Sequence, residues 1–185
     1  VFCASASFTM GQGMKIMLNH KAYATDKIQP YIEFTFRVGG NTVAYALNEE
    51  RRYQAEVLIN VDVIRDDQVV NNLRYILVSE SFADSVVSGR PDFGDVQNLP
   101  VDNGDYYLSF SFKDLHGDTA TVSYIDFISV HFPKDSVCTS GIDLLSDVRT
   151  AEPGDLYAKY GLSMTPLFYN FAGEQQYNLP FVMEG

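Results

Sequence analysis

Apolar and polar side chains alternate along much of this chain, and the clearest case lies near its centre. The apolar positions of that segment are Tyr106, Leu108, Phe110 and Phe112. The residues between them are Tyr107, Ser109, Ser111 and Lys113. A period of two residues is typical of a β-strand with one buried face. The pattern therefore predicts a strand whose core side includes Leu108 and Phe110.

The turn before this strand allows two interpretations. The order Asp-x-Gly-x-Tyr-x-apolar is typical of a tyrosine corner, which opens strand F of an immunoglobulin-like sandwich. Tyr106 and Leu108 would then follow the turn residue Gly104, and the Tyr106 hydroxyl would bind backbone a few residues upstream. Asn103-Gly104 is also the strongest two-residue hairpin signal, which would pair a strand around Val96 with the one that follows. Both interpretations place Leu108 in the core.

Further alternating or apolar runs predict strands on either side of this one. They cover residues 14–20, 31–38, 42–47, 53–65, 69–78, 119–132 and 142–145. Gly39-Gly40-Asn41 and Asp66-Asp67-Gln68 are turn signals between consecutive strands, whereas residues 79–97 predict irregular structure. Repeated short strands with frequent turns predict an all-β fold, an antiparallel sandwich of the immunoglobulin or fibronectin-III type.

One charged residue falls in phase with apolar neighbours. Asp126 alternates in step with Ile128 and Val130 in the strand predicted over residues 119–132. A β-bulge would shift the register at this point, or the carboxylate would be buried and hydrogen-bonded. The sequence leaves both possibilities open.

The chain is expected to have three parts. Residues 1–13 are interpreted as a signal-peptide remnant or disordered N-terminus, because Ala4-Ser5-Ala6 matches an A-x-A cleavage site. The alternative is an ordinary first strand. Residues 14–145 would form the sandwich. Residues 146–185 would be an aromatic-rich linker and the start of a second, truncated β domain.

Charge and cysteine content restrict the function classes. The net charge of -11 argues against binding nucleic acid or an anionic membrane surface. No apolar run is long enough to predict a transmembrane segment. The two cysteines, Cys3 and Cys138, would form a bridge only if the N-terminus is retained, and otherwise Cys138 is a small buried residue.

Candidate catalytic and metal-binding groups all have simpler explanations. Asp114, His116 and Asp118 flank one turn, and a second acidic turn contains Asp102, Asn103 and Asp105. Ordinary turn chemistry accounts for both. The three histidines are His20, His116 and His131, and no G-x-S-x-G elbow accompanies them. We therefore predict no enzyme activity, no metal site and no cofactor.

Outward aromatic residues are the best candidates for a binding role. Tyr107 lies on the polar side of the central strand, and Tyr160 and Tyr169 belong to an aromatic C-terminal stretch. Other members of that stretch are Tyr157, Phe168, Phe171 and Tyr177. A sugar-binding module would use such rings as stacking platforms. The alternative is that they cover the sandwich edge or dock onto a neighbouring domain.

Several short segments together resemble a known family. They are Pro30-Tyr31-Ile32-Glu33, Tyr53-Gln54-Ala55-Glu56-Val57, Arg65-Asp66-Asp67-Gln68, Gly104-Asp105-Tyr106-Tyr107-Leu108, Ser140-Gly141-Ile142-Asp143 and Lys159-Tyr160-Gly161-Leu162. Their order resembles the N-terminal part of the GWxTD-domain proteins of Bacteroidota, in which an exported β-sandwich region precedes the domain bearing the Gly-Trp-x-Thr-Asp motif. The naming motif is not present in this chain, which has no Trp.

The resemblance implies export to the periplasm, outer membrane or cell surface, and a non-catalytic role. Together with the composition, it predicts a structural or protein-interaction module of the bacterial cell envelope. Its partner would be another protein or a following domain of the same polypeptide. The alternative is a carbohydrate-binding module that uses surface tyrosines to bind a glycan.

Overall fold

The computed structural model describes residues 5–8, 13–24, 29–118, 120–133, 140, 142–168 and 180–183. Its strands are β1 (Ser5–Phe8), β2 (Ile16–Ala24), β3 (Pro30–Val38), β4 (Ala46–Leu47), β5 (Tyr53–Gln54), β6 (Glu56–Arg65), β7 (Gln68–Val78), β8 (Phe93–Pro100), β9 (Gly104–Asp114), β10 (Val122–Val130), β11 (Asp143–Thr150), β12 (Ala158–Lys159), β13 (Leu162–Pro166) and β14 (Phe181–Val182). One short 3-10 helix covers Gly40–Thr42. Within the described residues, no helix is long and apolar enough to cross a membrane.

Antiparallel pairing assembles these strands into three four-stranded sheets and one small ladder. The first sheet has the order β1-β2-β3-β8, the second β10-β9-β6-β7, and the third β12-β13-β11-β14, while β4 pairs only with β5. The first and second sheets pack as a sandwich, which confirms the predicted all-β fold. The chain passes from β3 to β6, from β7 to β8 and from β8 to β9 by changing sheet. This order is compatible with an immunoglobulin- or fibronectin-III-like arrangement.

The core lies between the inner faces of the first and second sheets. Phe34 on β3 contacts Phe110 on β9 edge to face, with ring centroids 5.9 Å apart. Phe36 and Phe112 form a similar pair at 6.0 Å. Leu108 and both central phenylalanines of β9 are buried, as their alternation predicts. The face of β9 predicted to be inward is therefore the buried one.

A tyrosine corner connects the two sheets between β8 and β9. The Tyr106 hydroxyl donates a hydrogen bond to the carbonyl oxygen of Asp102 at 2.8 Å, and the ring is buried. The hairpin interpretation is wrong, because β8 pairs with β3 and not with β9. A Cβ at Gly104 would lie 3.0 Å from the Arg65 guanidinium, the end of a flexible side chain that would have to shift slightly. Asn103 ties the corner to the end of β10 through two hydrogen bonds with the backbone of Phe132.

Replacing Tyr106 with Phe is expected to lower the free energy of unfolding by about 1 kcal/mol, because the Asp102 carbonyl loses its partner. The matched control is Tyr107→Phe, since Tyr107 is exposed on the same strand and its change should stay within about 0.5 kcal/mol. Urea unfolding monitored by fluorescence measures both. Equal effects from the two variants would show that the corner hydrogen bond does not contribute.

Residues 42–47 do not pair with β3 as the Gly-Gly-Asn signal predicts. Both edges of β3 are already occupied, by β2 and by β8. The chain instead forms the 3-10 turn and crosses to the second sheet. Leu47, predicted to face inward, is 59% exposed. A turn signal alone does not distinguish a hairpin from such a crossing.

The stretch predicted as irregular over residues 79–97 contains the start of β8. Its turn residue Gly94 lies inside the strand, opposite Arg37. A Cβ at this position would lie 2.1 Å from the carbonyl oxygen of Phe36, so only glycine permits the close approach of the two strands. Gly94 therefore allows β8 to approach β3 closely and does not form a turn.

Two predicted boundaries fall on strands. Ser5–Phe8 forms β1 and pairs with β2, while the interpretation of residues 1–13 as a signal-peptide remnant stays a prediction. The boundary between residues 145 and 146 falls inside β11, and the third sheet therefore begins at Asp143. Cys3, Cys138 and Tyr169 lie outside the described residues.

Candidate binding face of the second sheet

The strand register of the second sheet brings four apolar side chains into line on its outer face, away from the core. Tyr107 lies opposite Phe127 on one side and opposite Ile64 on the other, and Ile64 lies opposite Val69. We call Phe127, Tyr107, Ile64 and Val69 the apolar row. Tyr107 is 58% exposed, Phe127 49% and Val69 57%. The row therefore presents one apolar side chain from each of the four strands, three of them about half exposed to solvent.

Two aromatic rings form one end of the row. The centroids of Tyr107 and Phe127 are 5.6 Å apart and their planes meet at 66°, an edge-to-face arrangement. Ile125, the neighbouring outward residue on β10, is 66% exposed. Contiguous exposed apolar side chains of this kind mark interaction surfaces on soluble proteins.

Carboxylates border the row on both sides. Asp62 occupies the next outward position on β6, and its two oxygens accept hydrogen bonds from the side-chain amides of Asn60 at 3.1 Å and Asn72 at 2.5 Å. On the other side of the row, Asp105 and the turn residues Asp66 and Asp67 are exposed. The row thus lies between carboxylates, and the amide groups hold that of Asp62 in place.

Among the described residues, the cations nearest to the row are directed or placed away from it. The Arg65 guanidinium lies 5.8 Å from the ring of the core residue Tyr106 and beside Gly104, although its Nε also lies 3.9 Å from Asp66. In the strand register Arg74 lies opposite Asn60, and Lys113 lies opposite Leu58. These positions are two and three outward residues further along the strands than the apolar row. This end of the outer face is apolar and acidic.

The three tyrosines predicted as binding residues do not form one site. Tyr107 is in the apolar row. Tyr160 is 80% exposed but lies in the turn between β12 and β13 of the third sheet, which covers the opposite side of the sandwich. Tyr169 lies outside the described residues. Phe168, which the sequence groups with the outward aromatics, is buried.

Charged and polar groups form part of the contact between the third sheet and the outer face of the first sheet. Asp143 at the start of β11 accepts a hydrogen bond from the Asn19 amide at 3.0 Å. The Lys21 ammonium lies 3.9 Å from the same carboxylate and donates to the carbonyl oxygen of Ile142 at 2.7 Å. Lys21 and Asp143 are both buried. This contact fixes the third sheet on the sandwich by directional bonds.

A second ion pair and a cavity lie in the same interface. The Lys159 ammonium is 2.9 Å from the Glu33 carboxylate and 4.3 Å from the centroid of the Tyr23 ring. Beside them is a cavity of about 190 Å³, lined also by Asn98 and Tyr157. Tyr23, Glu33 and Lys159 all line this cavity, so the groups that form the ion pair and the cation–π contact also belong to its polar lining.

Asp126 is hydrogen-bonded rather than displaced by a bulge. The pairing of β10 with β9 is regular, and the Asp126 carboxylate lies 3.1 Å from His20 Nε2 on β2 and accepts from the Tyr124 hydroxyl at 2.9 Å. The hydrogen bond with His20 is the main cause that lowers the pKa of Asp126. Burial, with the adjacent Asp126, raises the pKa of Tyr124 to about 12. The cluster links the first sheet to the second.

The lowered pKa of Asp126 predicts a pH-dependent contribution to stability. A carboxyl group whose pKa is lower in the folded chain than in the unfolded chain stabilises the fold. This contribution is fully present at a pH above the pKa of the unfolded chain, here 3.8, and is lost as the pH falls through the pKa of the folded chain. Asp126→Asn removes the charge at every pH. We expect the stability difference between the parent and this variant, from urea unfolding, to shrink between pH 5 and pH 2.5. A difference that stays constant would contradict the prediction.

At one of the two acidic turns considered as metal sites, backbone amides engage the carboxylate oxygens of Asp114. Asp114 is buried and accepts hydrogen bonds from the backbone amides of Ala44, His116 and Gly117. His116 Nε2 lies 3.3 Å from Glu56. Among the described residues, no group of three or more His, Cys, Asp or Glu side chains is arranged to hold a metal ion.

Comparison with known proteins gives no relative for this chain: no family model, curated protein or solved structure matches it.

Proposed function

We propose that this protein is a non-catalytic module that binds a partner protein through the apolar row and Ile125. The observation that carries the proposal is the alignment of exposed Phe127, Tyr107 and Val69 across strands whose other faces build the core. Exposed side chains that are rigidly held in a sheet lose little conformational entropy on binding, and aromatic residues are enriched at protein interfaces.

Export to the bacterial cell envelope is part of this proposal and rests on the resemblance of the chain to the N-terminal region of GWxTD-domain proteins. In that setting the sandwich and its attached third sheet would serve as a folded support for the binding face. The partner would be another envelope protein or a following domain of the same polypeptide.

Glycan binding is the second candidate, and the position of Tyr107 near Asp62 and Ser109 favours it, because sugars are bound by a ring together with nearby polar groups. The 66° angle between the Tyr107 and Phe127 planes argues against it. The two rings cannot act as one flat platform for consecutive sugar units.

Photo-crosslinking in the source organism tests the proposal. A benzophenone amino acid in place of Tyr107 is expected to give a discrete cross-linked protein product that is lost when Ile125→Asp is added. The matched control carries the same group in place of Val86, an equally exposed residue in the loop between β7 and β8. The same products at both positions would contradict a binding face at the row. Binding on a glycan array that depends on Tyr107 would favour the second candidate.

A further inference from the structure

We infer that the apolar row takes a basic segment of the partner, in which Lys or Arg residues flank apolar ones. This inference rests on the proposed function and names the chemistry of the partner. It follows from the charge around the row rather than from the row itself. A neutral apolar segment would fill the row but bring no positive charge to the carboxylates beside it.

The distribution of charge points to a cationic partner. Asp105 and Asp67 lie beyond one side of the row and Asp62 beyond the other, while the Arg65 side chain is directed toward the core residue Tyr106. The whole chain carries a net charge of -11, so its general field also attracts cations. Opposite charges at the rim of an interface speed association and select between partners.

The spacing of the row suits a short segment that crosses the strands. Neighbouring strands lie about 4.8 Å apart, so the four side chains of the row span about 14 Å. Outward residues on one strand repeat every 7 Å or so, which places Asp105 about 7 Å from Tyr107 along β9 and Asp62 about 7 Å from Ile64 along β6, in the opposite direction. An extended Lys or Arg side chain from a segment lying on the row reaches that far.

The same carboxylates disfavour a second copy of the chain. If two copies met face to face at the row, each would bring Asp62 and Asp105 against the acidic rim of the other. Like charges placed together across an interface oppose binding. A basic segment has the opposite sign and meets no such repulsion.

Two synthetic peptides with the full chain provide the test. Both are twelve residues long with leucines at the same positions, and the remaining positions are Lys in one and Glu in the other. In fluorescence-anisotropy titrations we expect the Lys peptide to bind at least tenfold more tightly than the Glu peptide. Its affinity should fall severalfold between 50 and 300 mM NaCl, because exposed charges are screened.

Matched variants show whether the carboxylates beside the row are responsible for binding the Lys peptide. Asp67→Asn/Asp105→Asn should weaken the Lys peptide at least threefold, and Asn suits the left-handed backbone of Asp67, whose φ is 59°. Glu49→Gln/Glu50→Gln makes the same charge change in an exposed turn away from the row and should leave binding unchanged. Phe127→Ser should weaken the Lys peptide as well, because it removes apolar surface without changing charge.

Each other outcome overturns the inference. Equal weakening by both double variants would mean that the peptide responds only to net charge. Equal affinity for both peptides, or none for the Lys peptide, would mean that the partner is not basic. Concentration-dependent dimers in sedimentation, lost in Phe127→Ser, would mean that a second copy occupies the row. The crosslinking result at Tyr107 stands apart from these outcomes, so the proposed function can survive the loss of this inference.

Discussion

Truncating Phe110 to Ala is expected to lower the free energy of unfolding by about 3–5 kcal/mol, the usual cost of removing a large buried aromatic side chain. Phe110 is fully buried, and its ring contacts aromatic rings from both sheets of the sandwich. These rings are Phe34 at 5.9 Å, His20 at 6.0 Å, Tyr124 at 6.1 Å and Phe112 at 6.3 Å. The variant leaves a cavity that rigid neighbours on two sheets cannot close.

The controls for Phe110 come from the same strand. Ser109 and Ser111 face outward on β9, so Ser109→Ala and Ser111→Ala should each change stability by no more than about 0.5 kcal/mol. Leu108→Ala should cost about 2–5 kcal/mol, because Leu108 is also fully buried. Equilibrium urea unfolding compares all four. Serine variants as damaging as Phe110→Ala would reverse the assigned faces of the strand.

Replacing Asp143 with Ala is expected to weaken the attachment of the third sheet by about 3 kcal/mol or more. Removing one partner of a buried ion pair leaves the other charge uncompensated in a poorly solvated site. Lys21 would keep its hydrogen bond to Ile142 but lose the carboxylate, and Asn19 would lose an acceptor. Amide hydrogen exchange in β11 and β13 should accelerate strongly, while exchange in β6 and β9 changes less.

Asp147 provides the matched control, since it lies on the same strand and is exposed. Asp147→Ala should leave exchange in the third sheet nearly unchanged. The double variant Lys21→Met/Asp143→Leu should recover much of the lost protection, because apolar residues of similar size often replace a buried ion pair without loss of stability. If Asp143→Ala behaves like Asp147→Ala, the polar contacts do not hold the sheet.

Local alternation identified strands and their faces but not which strands pair. Tyr107 could be recognised as outward from β9 alone. Phe127 and Val69 could not be placed beside it, because their pairing depends on residues far away in sequence. The register also shifts between Val63 and Ile64, and that irregularity decides which β7 residue lies opposite Ile64. The apolar row is therefore a product of tertiary pairing.

The packing of the third sheet could not be predicted from the sequence for a related reason. Many outward residues of β2 and β3 are polar, among them Asn19, Lys21 and Glu33, and such a pattern is the same whether the face contacts water or another sheet. Lys21 and Glu33 are buried only because β11–β14 cover them. The stretch expected to be an aromatic-rich linker and the start of a second β domain contributes the buried Phe168. For Asp126 the sequence did indicate a buried polar contact, because this residue stands in phase with apolar neighbours.

The polar attachment of the third sheet has a consequence during biosynthesis. The sandwich is complete once β10 has emerged from the ribosome, but β14 ends only at Val182. At about 5–20 residues per second, the ribosome needs on the order of several seconds to finish the rest. Throughout that interval the outer face of the first sheet is exposed to water. The side chains of Asn19, Lys21 and Glu33 on this face are then hydrated. Until its last sheet is complete, the nascent sandwich therefore exposes charged and amide groups beside Met17 and Tyr23 rather than a wholly apolar face.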